Sequence, residues 1–253
     1  MAWGPRPTRD TLDIAARILL LPVLLGQAVF VRRRYIALPE PTGDRRGETG
    51  QGPLLRLLIL GDSSAVGVGV ATQQQALLGG LLAHLSPHAT VTYDLIAVTG
   101  AKTADVLEWR DTFPDGHYDV VVTALGVNDV TKGVSLRRFL RQQTALFDYL
   151  ATQRHAKRIV VSGLPPVGQF PLLPHPLRWV LGRQAARFDR HLHALVAARP
   201  ECSSARIDLG LDETNMSDDG FHPGPTVYAV WAREIAQIIL ADRELLDGAH
   251  GAP

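Results

Sequence analysis

Four short polar segments of the chain contain the residue types that a serine hydrolase uses. In chain order they carry Ser63, Gly100, Asn128 and His222. A serine hydroxyl is a weak nucleophile unless a neighbouring base removes its proton during attack, and histidine is the side chain that titrates near neutral pH. These residue types predict a nucleophile at Ser63 with His222 as its base.

An aspartate near His222 completes the predicted arrangement. Asp219 precedes His222 by three residues, so one turn can carry both the base and a carboxylate. The carboxylate would accept the Nδ1–H group of the imidazole, fix its tautomer and stabilise the imidazolium. Asp218 is the neighbouring alternative, and the three-residue spacing favours Asp219.

Each segment also has a simpler structural interpretation. Gly-Asp-Ser after a strand is often only a turn and a helix cap, and Gly-x-Asn-Asp is common turn chemistry. Asp62 and Asp129 fit such roles, bonding to the turn backbone around the serine and the asparagine. The chain has nine histidines, and a single one is usually structural. The catalytic interpretation depends on the four segments occurring together and in order.

The apolar pattern predicts the elements that would position these segments. Near-continuous apolar runs separated by helical stretches indicate an α/β fold, a three-layer α/β/α sandwich around a parallel sheet covered on both faces. Ligands of such sheets bind at the carboxyl ends of the strands, where the polar segments fall. Strands are predicted at Leu54–Leu60, Val91–Val98, Tyr118–Leu125, Arg158–Leu164 and, more weakly, Ala205–Leu209; helices are predicted at Gln75–Leu85, Thr103–Trp109, Leu136–Gln153, Leu177–Ala198 and Thr226–Leu245.

With these motifs the sequence resembles the SGNH (GDSL-type) hydrolases, a family of lipases and acylhydrolases. The family's four blocks are matched by Ser63 in Gly-Asp-Ser, Gly100, Asn128 in Gly-x-Asn-Asp and His222 in Asp-x-x-His, and the match covers nearly all of residues 54–245. The resemblance implies a flavodoxin-like fold with five parallel strands. It also implies an oxyanion hole made by the backbone N–H groups of Ser63 and Gly100 and the side-chain amide of Asn128. Ser64 departs from the family, in which an apolar residue is frequent at that position.

A proline-rich apolar stretch over residues 164–179 follows the fourth predicted strand. It is too broken for a strand and too long for a tight turn, and long loops beside an active site often shape the pocket. Phe170, Leu172, Leu173 and Trp179 are candidates for an acyl-binding wall. Packing over the sheet edge is the equally weighted alternative.

The N-terminal region carries an apolar segment and a basic cluster. Residues 1–36 are predicted to hold an apolar helix, and residues 12–34 could associate with a membrane through it. Residues 12–31 could span the bilayer, lie in its interface or dock on the catalytic domain, and a cleaved signal is a weaker alternative. Arg32-Arg33-Arg34 slightly favours the cytoplasmic face over a periplasmic or secreted location.

The rest of the chain divides by composition. Residues 37–53 are rich in Gly, Pro and charge and are predicted to be a linker, residues 54–245 form the hydrolase domain, and residues 246–253 are a tail.

Composition argues against several other classes of protein. Residues 54–253 hold 18 basic and 20 acidic side chains, so no basic excess suggests nucleic acid. The single cysteine rules out an internal disulfide, and no Gly-x-Ser-x-Gly elbow or phosphate-binding glycine fingerprint occurs. No cluster has metal-ligand spacing, so no metal or cofactor is expected.

The expected activity is a serine esterase or lipase-like acylhydrolase acting on small-molecule or lipid esters, with a lean towards aliphatic esters. A lysophospholipase, a thioesterase or a carbohydrate O-deacetylase could use the same site. A non-catalytic, membrane-tethered binding protein on a hydrolase fold is the alternative of a different class.

Overall fold

The computed structural model describes residues 19–114, 116–207, 209–242 and 245. Its centre is one six-stranded sheet, whose strands are β1 (Arg46–Thr49), β2 (Leu54–Gly61), β3 (Thr90–Ala97), β4 (Val120–Ala124), β5 (Arg158–Ser162) and β6 (Cys202–Ala205). Across the sheet the order is β1-β3-β2-β4-β5-β6. Strands β2 to β6 are parallel, and β1 pairs antiparallel with β3 at the edge.

Helices cover both faces of the sheet. They are α1 (Leu21–Arg34), α2 (Ser63–Val66), α3 (Leu77–Leu85), α4 (Thr103–Trp109), α5 (Val127–Thr131), α6 (Leu136–Gln153), α7 (Leu177–Ala197) and α8 (Pro225–Ala241). Short 3₁₀ turns lie at Gln73–Gln75, Arg110–Thr112 and Val167–Gln169.

The core is divided by the alternation of side chains along the strands. On β2, Leu58 and Leu60 join the apolar cluster that contains Phe139 of α6 and Phe188 of α7. Leu57 and Ile59 point the other way, into the cluster formed with α3 and α8. Because successive strand residues face opposite sides, a run of apolar residues fills two cores at once. The predicted three-layer α/β/α sandwich is confirmed.

The sheet has one more strand than the sequence predicts. Residues 46–49, inside the predicted linker 37–53, form β1, so the interpretation of these residues as linker is corrected. The strand has no apolar residue, and its pairing with β3 includes an ion pair from Arg46 Nε to Asp94 Oδ1 at 2.5 Å. Thr42 also pairs with Thr72 in an isolated bridge, so this segment is held against the domain at two places.

The N-terminal helix α1 lies against the domain with one side only. Leu24 and Val31 pack on the core cluster under α7, and no residue of α1 is fully buried. Within the described residues, no helix has the length and apolar character needed to cross a membrane. Residues 1–18 and 246–253 of the predicted N-terminal region and tail lie outside the described residues, and the predicted division of the chain otherwise stays a prediction.

Candidate active site

The structure brings Ser63, His222 and Asp219 into one chain of hydrogen bonds. Ser63 Oγ lies 2.9 Å from His222 Nε2, and His222 Nδ1 lies 2.5 Å from Asp219 Oδ2. An ionised carboxylate only accepts, so Nδ1 carries the proton and Nε2 is free to accept from the serine hydroxyl. This is the tautomer that a general base for Ser63 requires.

Asp219 is held in its ionised form by the turn that carries it. Its Oδ1 accepts from the backbone N–H groups of Phe221 and His222 and from the hydroxyl of Ser217. Burial acts to raise the pKa of Asp219, but the hydrogen bonds donated by His222 and Phe221 outweigh burial and leave the pKa below its ordinary value. The rival Asp218 is exposed and makes no such contact with the imidazole.

Gly220 lets this turn close against the rest of the site. Its φ is +63°, and a Cβ there would lie 2.9 Å from the backbone nitrogen of Leu172. A side chain is therefore excluded both by conformation and by space. The turn brings the Asp219 carboxylate and the His222 imidazole to the same side, as their three-residue spacing predicted.

Ser63 is positioned by the junction of β2 and α2. Asp62 is the helix N-cap, and its carboxylate accepts from the backbone N–H of Ser64. Ser63 is the first residue of the helix, where a backbone N–H has no partner within the helix. Gly61 permits the close approach, since a Cβ there would lie 2.4 Å from the Ala65 Cβ atom and 2.7 Å from the Ala124 oxygen.

Asn128, one of the two further predicted oxyanion donors, is hydrogen-bonded to this junction, and Gly100, the other, is hydrogen-bonded to the residue that follows the helix of Asn128. Asn128 Nδ2 donates to Asp62 Oδ2 at 2.8 Å, which orients its amide beside Ser63. Gly100 lies in the turn after β3 with φ +84°, a conformation that favours glycine. Lys132, at the end of α5, donates from Nζ to the Gly100 carbonyl at 2.6 Å and so joins the Gly100 turn to the helix of Asn128.

Asp129 has a different role from the local turn contacts expected of it. Its Oδ2 accepts from both the backbone N–H and the hydroxyl of Thr103 on α4, each at 3.1 Å. Gln143 of α6 donates to the same hydroxyl at 2.9 Å. Burial raises the pKa of Asp129 above its ordinary value. This buried network fixes the helix after the Gly100 turn to the helix that carries Asn128.

A small apolar cavity opens beside Ser63. Its volume is about 60 Å³, and it lies at the carboxyl ends of β4 and β5. Trp231 of α8 lines it and donates from Nε1 to Ser162 Oγ at 2.9 Å. The walls are mainly apolar side chains, including Leu125, Val127, Phe170, Ile207, Leu211, Met216, Phe221, Val227 and Trp231. Ser63 and His222 also line it, so its apolar walls lie beside the Ser63 hydroxyl.

Only one of the four residues predicted to form an acyl-binding wall lines this cavity. Phe170 does, whereas Leu173 is buried in the core, and Leu172 lines an outer cleft with Phe30 and Ile36 of the N-terminal region. Trp179 is 39% exposed on α7, and the Arg183 guanidinium lies over its ring. Of the four candidates for an acyl-binding wall, Phe170 therefore lines the cavity beside Ser63, and the other three lie elsewhere.

Aromatic rings lie next to the His222 imidazole, and no periodic pattern in the sequence indicates most of them. Phe221 packs edge-on against both Phe170 and His222, with centroid distances of 5.3 Å each. The Tyr35 ring, just after α1, lies 6.3 Å from the His222 ring. The N-terminal region therefore reaches the edge of the site. Among the described residues there is no group of three or more side chains that could hold a metal ion.

Comparison with known proteins places this geometry in a family. Residues 59–230 match the model of the GDSL-like Lipase/Acylhydrolase family, and this range contains Ser63, Gly100, Asn128, Asp219 and His222. No curated protein sequence matches the chain.

Solved structures share the fold at low identity. The lipase Lip_vut3 from a goat rumen metagenome has a TM-score of 0.59 and 17% identity over 72% of this chain and 96% of its own. TesA has a TM-score of 0.59 and 19% identity over 73% and 97%, respectively. A mutant of Axe2, an acetyl-xylooligosaccharide esterase from Geobacillus Stearmophilus, has a TM-score of 0.54 and 18% identity over 74% and 94%. At these identities the similarity establishes the fold and not the substrate.

Proposed function

Because the chain belongs to the GDSL-like lipase/acylhydrolase family and is thus an ester-cleaving hydrolase, we propose that it cleaves carboxylic esters through an acyl-enzyme on Ser63. The observation that carries this proposal is the hydrogen-bond chain from Ser63 Oγ through His222 to Asp219. A nucleophile, a base in the correct tautomer and an ionised orienting group are all present, which acyl transfer requires.

The reaction follows from these contacts. Ser63 Oγ attacks the ester carbonyl carbon while His222 Nε2 takes the hydroxyl proton, and the Asp219 carboxylate stabilises the imidazolium. When the tetrahedral intermediate collapses, Nε2 gives that proton to the departing alkoxide, which leaves as the alcohol. Water then attacks the acyl-Ser63 ester with His222 again as base, and collapse releases the acid and returns the proton to Ser63.

The negative charge of each tetrahedral intermediate needs hydrogen-bond donors. We assign these to the backbone N–H groups of Ser63 and Gly100 and to Asn128 Nδ2. An amide nitrogen carries two hydrogens, and one of those on Asn128 is donated to Asp62. The second is left for the substrate oxygen.

The apolar walls of the cavity favour an aliphatic or lipid-derived acyl group as substrate. Burying methylene groups against such walls contributes about 0.8 kcal/mol each. The structural relatives named above include both a lipase and an acetyl-xylooligosaccharide esterase. Lysophospholipase, thioesterase or carbohydrate O-deacetylase activity is thus the alternative, and the cavity lining favours the aliphatic substrate over a sugar acetate.

Hydrolysis of p-nitrophenyl esters from acetate to palmitate tests the proposal. We expect the wild type to be active and Ser63→Ala to lower kcat by about 10⁴-fold or more. Ser64→Ala is the matched control, because Ser64 is adjacent and its hydroxyl donates to Asp62 rather than to His222. Substantial activity in Ser63→Ala, or none in the wild type with any ester, would contradict the proposal.

A further inference from the structure

Helix α1 has two faces with different surroundings. Leu24 and Val31 are seven residues apart, so they lie on one side of the helix, and both pack on the domain. Leu21, Leu25 and Val29 are spaced four residues apart along another side, where they are 51%, 60% and 52% exposed. A continuous row of large apolar side chains is therefore in contact with solvent.

A specific contact fixes the helix in this orientation. Gln27 donates from Nε2 to the His175 carbonyl at 2.6 Å, and its Oε1 accepts from the backbone N–H of Leu177 at the start of α7. The nitrogen and the oxygen of the Gln27 amide thus each make a hydrogen bond with the backbone between His175 and Leu177. Because this contact lies on the packed side with Leu24 and Val31, the apolar row cannot rotate inward without breaking it.

A cluster of positive charge ends the helix. Arg32, Arg33 and Arg34 are all exposed and follow the apolar row directly. At 1.5 Å per residue the 14 residues of α1 extend about 21 Å, which is short of the roughly 30 Å of a bilayer core. An exposed apolar face beside basic side chains is the pattern of a helix that lies in the plane of an anionic lipid interface.

We propose that α1 docks the protein on the surface of an anionic lipid bilayer, with Leu21, Leu25 and Val29 inserted among the acyl chains and the three arginines at the phosphates. Charge complementarity favours this occupant over a second copy of the chain, which would bring a second arginine cluster to the same surface. Tyr35 directly follows the arginines and lies beside His222. If the proposed esterase activity holds, the docked helix also places the active site next to the lipid.

Flotation with lipid vesicles tests docking without depending on hydrolysis. The full chain carrying Ser63→Ala is mixed with vesicles of phosphatidylcholine, with or without phosphatidylglycerol. We expect it to float with the anionic vesicles and much less with phosphatidylcholine alone. Replacing Arg32, Arg33 and Arg34 by Gln should weaken binding about 100-fold, about fivefold for each arginine. Leu25→Glu with Val29→Glu should abolish it.

The matched control replaces three exposed arginines on another helix. Arg137, Arg138 and Arg141 of α6, changed to Gln, should leave vesicle binding as in the parent. Circular dichroism confirms that each variant is folded. Failure of the parent chain to float with anionic vesicles, or equal loss of binding in the control, would overturn the proposal. Self-association that is lost with Leu25→Glu and Val29→Glu, without vesicle binding, would instead identify a second copy as the occupant.

Discussion

At the scale of single residues, Asp62 connects the turn of Ser63, the proposed nucleophile, to Asn128, a proposed oxyanion donor. Its Oδ1 accepts from the backbone N–H and the hydroxyl of Ser64, and its Oδ2 accepts from Asn128 Nδ2. Burial raises the pKa of Asp62, and the hydrogen bonds from Ser64 and Asn128 oppose that rise. One carboxylate thus sets the position of the serine turn and of the amide that faces it.

The asparagine is expected to act in the transition state more than in substrate binding. We predict that Asn128→Ala lowers kcat for p-nitrophenyl esters by about 100- to 1,000-fold, because one donor to the oxyanion is lost. The Michaelis constant should change little. Steady-state kinetics check this, with Thr131→Ala, an exposed residue of the same helix, as the unaffected control. A fall in kcat of less than about tenfold would exclude this role.

The proposed catalytic residues were predictable from the sequence because four short motifs occur together and in order. Within the last motif, the three-residue spacing favours Asp219 over Asp218 as the partner of His222. Asp62 makes the predicted contact with the turn backbone, at the Ser64 N–H. The distant partners of Asp62 and Asp129 were not predictable, since Asn128 and Thr103 are 66 and 26 residues away from them. Such contacts depend on how strands and helices are arranged in space.

At the scale of elements, the apolar pattern predicted two helices with the bounds that the structure shows. The helices Thr103–Trp109 and Leu136–Gln153 begin and end as predicted, and Ser135 caps the second by accepting from the backbone N–H of Arg138. The strand at the β6 edge is Cys202–Ala205 rather than Ala205–Leu209. Its central serines carry no apolar signal, and pairing with β5 decides its position. Strand β1 also has no apolar signal, and its pairing with β3 decides its position.

Among the four candidates for the acyl-binding wall, Phe170 should set the acyl-chain preference, because it lines the cavity beside Ser63. Phe170→Ala enlarges the cavity, so we predict a higher kcat/KM for longer esters relative to acetate, by about fourfold for each additional buried methylene. This ratio does not depend on how much of the variant is folded. The matched control is Trp179→Ala, because Trp179 is exposed and does not line the cavity.

Leu173 provides a second comparison for the same segment. It is buried in the core, so Leu173→Ala should cost about 2–5 kcal/mol in the free energy of unfolding without moving the preference. A preference that shifts with Leu173→Ala or Trp179→Ala, and not with Phe170→Ala, would contradict the assignment of the cavity wall.

For the whole molecule, buried carboxylates contribute to stability with opposite dependence on pH. The pKa of Asp219 lies below its ordinary value of 3.8, so its ionised form stabilises the folded chain above that pH. Burial raises the pKa of Asp62 and of Asp129, so their ionised forms cost stability once the pH rises above the same value. The stability of the wild type alone therefore does not isolate any one of these groups.

A difference between variants does isolate Asp219. We predict that Asp219→Asn is less stable than the wild type by about 2 kcal/mol near neutral pH, because charge-assisted hydrogen bonds are lost. The gap should close as the pH falls from about 4 towards the lower pKa of the folded state. Urea unfolding at a series of pH values measures this difference in the free energy of unfolding. Asp218→Asn, at the exposed neighbour, is the matched control, and a gap of constant size for Asp219→Asn would contradict the prediction.

The buried thiol on β6 makes the protein well suited to site-directed spin labelling. Cys202 is the single cysteine of the chain, and burial raises the pKa of its thiol to about 12. At neutral pH it therefore offers almost no thiolate to a methanethiosulfonate reagent while the chain is folded. In Val29→Cys the introduced cysteine becomes the one reactive thiol. The collision rates of the attached nitroxide with oxygen and with nickel measure how deep α1 lies in the lipid. Because Cys202 is not labelled, the native cysteine does not have to be removed first.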